Sequence, residues 1–267
     1  MKKVLTIAGS DSCGGAGIQA DLKTMSSLGV YGMSAITAIT AQNTIGVQNV
    51  MEVTEELVEA QIKSIFEDIT VDAVKIGMVS NSKTIEIIKA LLKKYNAKNI
   101  VLDPVMVSKS GYFLLKPEAE SAIKNLISIA EVVTPNIPEA EVLTGMKIQN
   151  AEEMKTAALK IKELGAKNVL IKGGHRCNDA NDILLSGDKF ITLEGHRIET
   201  QNTHGTGCTL SSAIASYLAK GNSVEEAVSL SKQYITRAIE NSFSIGHGVG
   251  PVGHFIEVYK KAKISYE

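Results

Sequence analysis

Cysteine is scarce in this sequence: 267 residues contain three, Cys13, Cys177 and Cys208. They are odd in number, far apart and without a C-x-x-C pair, so neither a disulfide framework nor a zinc site is expected. Long apolar runs are missing too. Nothing approaches the roughly 18 consecutive apolar residues of a membrane span. Met1 to Ile7 runs from two lysines straight into a short apolar strand, with no small-residue cleavage site. A reducing cytoplasm is therefore the expected compartment, with no membrane partner. Neither sign of charge is in excess: 28 Lys and Arg face 29 Asp and Glu, a net charge of −1. No basic field is available to draw in a phosphate backbone, and nucleic acid is not an expected partner. The histidines, His175, His196, His204, His247 and His254, show no metal-ligand spacing. No linker, low-complexity tract or internal repeat is visible. The pattern G-x-x-x-x-G-K-[ST] is also absent, so any use of ATP proceeds without a Walker loop.

What is present reads as one α/β domain spanning residues 1–267. Hydrophobic residues make up 44% and there are 22 glycines, enough for a sizeable core and for many tight strand-to-helix turns. Short β-branched runs recur at Val4–Ile7, Ser34–Ile39, Ala73–Ile76, Ile100–Leu102, Glu131–Val133 and Asn168–Ile171. Between them, Ile18, Leu22, Met25 and Leu28, or Ile85, Ile88, Leu91 and Leu92, repeat with helical period. This alternation predicts a mostly parallel sheet covered on both faces. From Asp182 to Thr200, three short apolar runs ending at Arg197-Ile198-Glu199 are separated by Ser186-Gly187-Asp188 and Glu194-Gly195-His196, which predicts antiparallel hairpins at one edge. Two helices, from about Cys208 to Ala219 and from about Val224 to Glu240, are expected to finish the fold.

In open α/β sheets ligands sit beyond the carboxyl ends of the strands, so the residues just after each run matter most. Gly205-Thr206-Gly207-Cys208 opens a helix of small residues. Two glycines there allow backbone N–H groups and the positive helix end to converge on one anion. Cys208 at that end is expected to have a thiol pKa below about 8.5; a glycine-containing turn with a small buried thiol is the plainer alternative. Asn136-Ile137-Pro138-Glu139 also opens a helix, with Glu141 just beyond. Glu139 is either a favourable first-turn acid or a carboxylate suited to Mg²⁺. Lys172 stands at a strand end, where a lysine is commonly just solvated. Gly15-Ala16-Gly17-Ile18-Gln19-Ala20 matches G-x-G-x-x-A. It begins too far from Ile7, however, and no acid follows the second strand at the distance a dinucleotide site requires.

These pieces occur in one order. Ala8-Gly9-Ser10-Asp11-Ser12 and Gly14 to Asp21 come first, then Thr40-Ala41-Gln42-Asn43, Lys75-Ile76-Gly77-Met78, Asp103-Pro104-Val105-Met106, Thr134-Pro135-Asn136, Lys172-Gly173-Gly174-His175 and His204 to Thr209. The set resembles the hydroxymethyl-pyrimidine and phosphomethyl-pyrimidine kinases of thiamine biosynthesis, a branch of the ribokinase-like superfamily. The resemblance implies a three-layer α/β/α sandwich, a homodimer, and use of ATP with Mg²⁺. The implied reaction phosphorylates 4-amino-5-hydroxymethyl-2-methylpyrimidine to its monophosphate and then to its diphosphate. It implies an anion hole at Gly205, Thr206 and Gly207, with Cys208 in the position of a catalytic acid-base group. Lys172, Thr206, Asp103 and Asn136 are implied near the nucleotide, and Glu139 at the magnesium. Gln42 is implied to pair with the amino-nitrogen edge of the pyrimidine, as an amide carrying donor and acceptor side by side can. Asp21, Met78 and Gly9 are implied to line that pocket. Two rivals share these features. A pyridoxal kinase of the same branch is expected to carry a second cysteine in the flap, where this chain has Ser110. A non-catalytic pyrimidine-binding protein is expected to have degraded phosphate motifs, whereas here they stand intact.

Overall fold

The computed structural model describes residues 1–106, 119–174 and 180–264. Its first half contains β1 (Lys3–Asp11), α1 (Gly17–Ser27), β2 (Tyr31–Gln42), β3 (Val47–Glu52), α2 (Glu55–Asp68), β4 (Ala73–Ile76), α3 (Ser82–Lys94) and β5 (Ile100–Leu102). The second half contains α4 (Glu120–Ile127), β6 (Val132–Val133), α5 (Ile137–Thr144), α6 (Ala151–Glu163), β7 (Asn168–Ile171), β8 (Asp182–Ser186), β9 (Lys189–Leu193), α7 (Thr206–Ala219), α8 (Val224–Glu240) and α9 (Ile256–Ala262). Helix starts follow side chains that can satisfy the free N–H groups of a first turn. Asn81 accepts from Thr84 N–H at 2.8 Å, Asn150 accepts from Glu153 N–H at 3.0 Å, and Ser223 with Glu226 forms a capping box on α8.

The strands form one sheet in the order β3-β2-β1-β4-β5-β6-β7-β8-β9. From β2 to β7 every pairing is parallel, whereas β3, β8 and β9 add antiparallel strands at the two edges. The central strands are apolar on both faces because both are covered. One face packs Leu5, Ile7, Val74, Ile76 and Leu102 against α2 to α6. The other packs Val4, Val101, Val132 and Leu170 against α1, α7 and α8. The result is a three-layer α/β/α sandwich. Helix α7 is buried nearly all round, and its small residues, Ser211, Ser212, Ala213, Ala215 and Ser216, let it lie close to the sheet and to α1.

Three sequence expectations change. Arg197–Glu199 is not a strand, so the edge hairpin ends with β9. A further antiparallel strand, β3, occupies the opposite edge, and α9 follows α8. Among the described residues no helix is long and apolar enough to cross a membrane. Connections run left from β1 to β2 and then right to β4, so the strand order reverses at β1 and β4, where such sheets open a crevice beyond their carboxyl ends.

Candidate active site

A cleft of about 430 Å³ lies at this crevice. Its floor is the start of α7. Gly205 caps the helix in the left-handed region, at φ 80°, and a Cβ there would sit 1.8 Å from the Gly15 carbonyl oxygen. Only glycine lets these two loops touch. The first turn of α7 carries no acidic side chain, and the N–H groups of a first turn have no intrahelical acceptors. Together with the positive helix end they make a cradle for an anion. Thr206 holds the turn by donating its hydroxyl to the Thr203 carbonyl at 2.8 Å.

One wall carries the charged groups. A Cβ on Gly207 would lie 3.3 Å from Asp103 Oδ2 and 3.4 Å from Lys172 Nζ, so the cradle opens directly onto that ion pair. Lys172 Nζ donates to Asp103 Oδ1 at 2.7 Å, and Thr134 donates to the same oxygen at 3.1 Å. Beside them, Asn136 and Glu139 form a capping box on α5: Glu139 N–H donates to Asn136 Oδ1 at 2.9 Å, and Asn136 N–H donates to Glu139 Oε2 at 2.8 Å. Burial and the adjacent Asp103 push the Glu139 carboxyl up to about 7, although Lys172 and the N–H groups of Asn136 and Met106 pull the other way. Burial draws the Lys172 ammonium down, but Asp103 and Glu139 outweigh it and hold the group above its usual value. Two carboxyl groups thus share one ammonium. The surplus negative charge, on hard oxygen donors, fits a magnesium ion.

A second wall is mostly apolar. Gly9 and Met78 form it, with Gln42 reaching in from the end of β2, while Val105 and Met106 lie beside the charged groups, Met106 N–H bonding to Glu139. A Cβ on Gly9 would come within 3.0 Å of Met78 Sδ, so glycine keeps this wall recessed. Behind Gln42, Asp11 and His204 join the loop after β1 to the start of α7. Asp11 accepts from His204 Nε2 at 2.8 Å and from the N–H groups of Cys13, Gly15 and Ala16 at 2.8, 3.1 and 2.8 Å. Burial pushes the Asp11 carboxyl up, but these donors prevail and hold it below its usual value. Asp11, Cys13 and His204 lie close enough to share a cation, which the separation of their numbers concealed. The carboxylate is already filled by N–H donors, and the cluster is a hydrogen-bonded clamp.

The cleft gathers Gly9, Gln42, Met78, Asp103, Asn136, Glu139, Lys172, Gly205, Thr206, Gly207 and Cys208. Asp21 does not belong with them. It is wholly buried beneath the cleft, pairing with Lys75 Nζ at 2.8 Å and accepting from Thr6 and Ser212 hydroxyls at 2.6 Å each. Glu141 turns away to Lys147 and to Ile148 N–H. The expectation for the thiol is reversed. Burial pushes Cys208 up to about 11, with Asp21 and Asp103 adding to the rise and Lys75 and Gly17 N–H opposing it. Desolvation outweighs the helix end. His175 and the flap residues 107–111, including Ser110, lie outside the described residues, as does Cys177. Sequence reasoning missed Asp11 and His204 as working residues; both sit inside the quoted motifs, His204 immediately before Gly205.

The profile of a family described as phosphomethylpyrimidine kinase matches residues 11–253. The hydroxymethylpyrimidine/phosphomethylpyrimidine kinase of Rhizobium meliloti is 53% identical over 261 residues, covering 96% of this chain and 98% of that one. A thiamine biosynthesis bifunctional protein of Geobacter sulfurreducens is 51% identical over 95% of this chain, which spans 52% of its length. Among solved structures, an ADP complex of Bacillus subtilis pyridoxal kinase superposes with a TM-score of 0.89 at 44% identity, covering 95% of this chain and 97% of that one.

Proposed function

The chain belongs to the phosphomethylpyrimidine kinase family, and from that premise we propose that it transfers the terminal phosphoryl group of ATP to 4-amino-5-hydroxymethyl-2-methylpyrimidine, and then to the monophosphate so formed. The observation that carries the reading is that the α7 cradle and Cys208 line one cleft together with the Asp103, Glu139 and Lys172 group and with Gly9, Met78 and Gln42. A phosphoryl group held at the cradle has nucleotide-binding groups on one side and room for a small ring on the other. Residues 1–267 act as one kinase domain, and by family resemblance the working unit is a cytoplasmic homodimer.

Phosphoryl transfer passes through a loose transition state, so alignment and charge stabilisation dominate over proton removal. The first-turn N–H groups of α7 hold the transferred group, and Lys172 adds positive charge beside it. Asp103 and Glu139 would hold magnesium, directly or through water, and the ion would neutralise charge on the phosphates. Coupled ADP release tests the reading: it should require the pyrimidine alcohol or its monophosphate. ADP release no faster than with ATP alone would overturn it. The likeness to the Bacillus subtilis pyridoxal kinase makes pyridoxal the competing acceptor, and turnover on it is expected to be lower.

Glu139 carries a testable pH signature. As pH falls through about 7 a proton occupies its carboxyl and competes with the cation. The Mg²⁺ concentration for half-maximal activity should therefore rise between pH 8 and 6. In Glu139→Gln it should be higher by about tenfold and should not vary with pH. The stability cost should stay within about 1 kcal/mol, since glutamine keeps the capping-box acceptor and only the first-turn charge is lost. A Mg²⁺ titration that overlays the parent's at both pH values would remove Glu139 from the metal site.

Cys208 offers a second. With its pKa near 11, only about one thiol in ten thousand is ionised at pH 7, and this fraction grows about a hundredfold by pH 9. If the thiolate accepts the acceptor's hydroxyl proton, turnover at saturating Mg²⁺ and substrates rises across that range. Cys208→Ser should lower turnover by about tenfold or more, abolish the rise and leave the KM for ATP unchanged. A variant matching the parent throughout would make the thiol a packing residue.

A further inference from the structure

His204 touches neither a nucleotide-side group nor the α7 cradle through its ring; its ring nitrogen meets Asp11 and Gln42 instead. Asp11 Oδ2 lies 2.8 Å from His204 Nε2. An ionised carboxylate can only accept, so Nε2 carries a hydrogen. The same nitrogen lies 3.3 Å from the side-chain amide of Gln42, whose other terminal atom lies 3.1 Å from Thr40 Oγ1. With the amide nitrogen turned toward His204, two donors would face each other. The Thr40 hydroxyl would also be needed by two acceptors, because it donates to the Ser10 carbonyl at 3.0 Å. Turning the amide by 180° resolves both conflicts, and amide orientation is decided by such networks. Gln42 Oε1 then shares the single Nε2 hydrogen of His204 with Asp11 as the more distant of two acceptors, and Gln42 Nε2 donates to the Thr40 oxygen.

We propose that His204, held as an N–H donor by Asp11, fixes the donor–acceptor order of the Gln42 amide and so selects a ring that carries an amino group beside a ring nitrogen. The inference rests on Gln42 being the residue that meets the ring. An amide has two acceptor lone pairs and two N–H groups; one of each is used inside the protein, and one of each remains for the ligand. The acceptor stands on the His204 side and the donor on the Thr40 side. A ring amino group is therefore drawn toward His204 and the neighbouring ring nitrogen toward Thr40. The reverse order would turn the ring over and carry its hydroxymethyl arm away from the α7 cradle. His204 is thus a positioning residue that acts through Gln42. The fit is tight on the side of Gly15, where a Cβ would come within 2.3 Å of His204 Cδ2.

The test compares the pyrimidine alcohol with its analogue bearing hydrogen in place of the amino group, as a ratio of kcat/KM. A site that hydrogen-bonds a substrate discriminates strongly against the analogue lacking that group. His204→Leu removes the fixing donor and should shrink the ratio by at least tenfold, while His204→Gln, which keeps an N–H donor, should restore most of it. An equal loss on both compounds, or an unchanged ratio, overturns the proposal. Gln42→Leu separates the two readings. If it leaves the ratio intact, Gln42 does not meet the ring and the premise itself fails. If Gln42→Leu collapses the ratio and His204→Leu does not, only the role of His204 fails. Nitrogen-15 NMR of the unsubstituted protein needs no variant to fold. A hydrogen-bearing Nε2 at His204 supports the proposal, and an unprotonated Nε2 overturns it.

Discussion

Gly205→Ala should reduce turnover by at least a thousandfold. The left-handed backbone at φ 80° contributes little to that loss, because it costs an alanine only about 1–2 kcal/mol. The decisive contact is between backbones. An alanine Cβ would lie 1.8 Å from the Gly15 carbonyl oxygen and 2.8 Å from its carbon, and no side chain can rotate away to relieve it. The loop after β1 must then separate from the start of α7. That movement displaces the N–H groups that receive the phosphoryl group and strains the Asp11–His204 clamp. Losing a single donor to a developing oxyanion costs roughly 10²–10³ in rate, and a misplacement near 1 Å about as much. Gly187→Ala is the control. It has a similarly positive φ of 56°, but nothing lies within 4 Å of its Cβ. It should lose about 1 kcal/mol of stability and keep its turnover, measured as ADP release alongside urea unfolding. Gly205→Ala within tenfold of the parent would refute the close-contact account.

Lys75→Met should produce the largest loss of stability, about 3–5 kcal/mol by urea unfolding. Lys75 and Asp21 are both fully buried, with the ammonium 2.8 and 2.9 Å from the two carboxylate oxygens. Burial lowers the affinity of Lys75 for its proton, but Asp21, with Cys208 and Asp103, more than compensates. Without the ammonium, Asp21 keeps the Thr6 and Ser212 hydroxyls and loses its counter-charge. The double variant Lys75→Met, Asp21→Asn should recover part of that loss, because no unpaired charge remains. If the double variant is as unstable as the two single losses added together, the pair is not coupled.

The strands and helices with a strong period were legible from sequence, and so was nearly the whole cleft wall, because β/α folds place their working residues just after the apolar runs. What escaped notice depended on long-range packing. Strand β3 has only exposed and half-buried positions, at an edge, and therefore lacks the apolar pattern of a core strand. Asp21 follows a glycine-rich loop much as a cleft residue would. Its pairing with Lys75, 54 positions away, shows that it is buried beneath the cleft, between α1, α7 and the sheet. The Cys208 thiol was judged by its helix end, a local property, whereas its desolvation comes from the surrounding layers. His204 carries no spacing signal because its partner is 193 positions distant.

That separation bears on how the protein is made. The segment from the end of β1 into α1 meets the segment from His204 into α7 at three places, Gly15 with Gly205, Asp11 with His204, and Asp21 with Ser212. Until α7 and α8 emerge, the apolar face of the sheet that includes Val4, Val101, Val132 and Leu170 is covered by α1 alone, and the anion cradle does not exist. A chain still on the ribosome can therefore pair its central strands long before it can bind ATP. Such long-range closure slows folding and leaves sticky intermediates exposed. Added nucleotide can rescue only chains whose α7 has already docked.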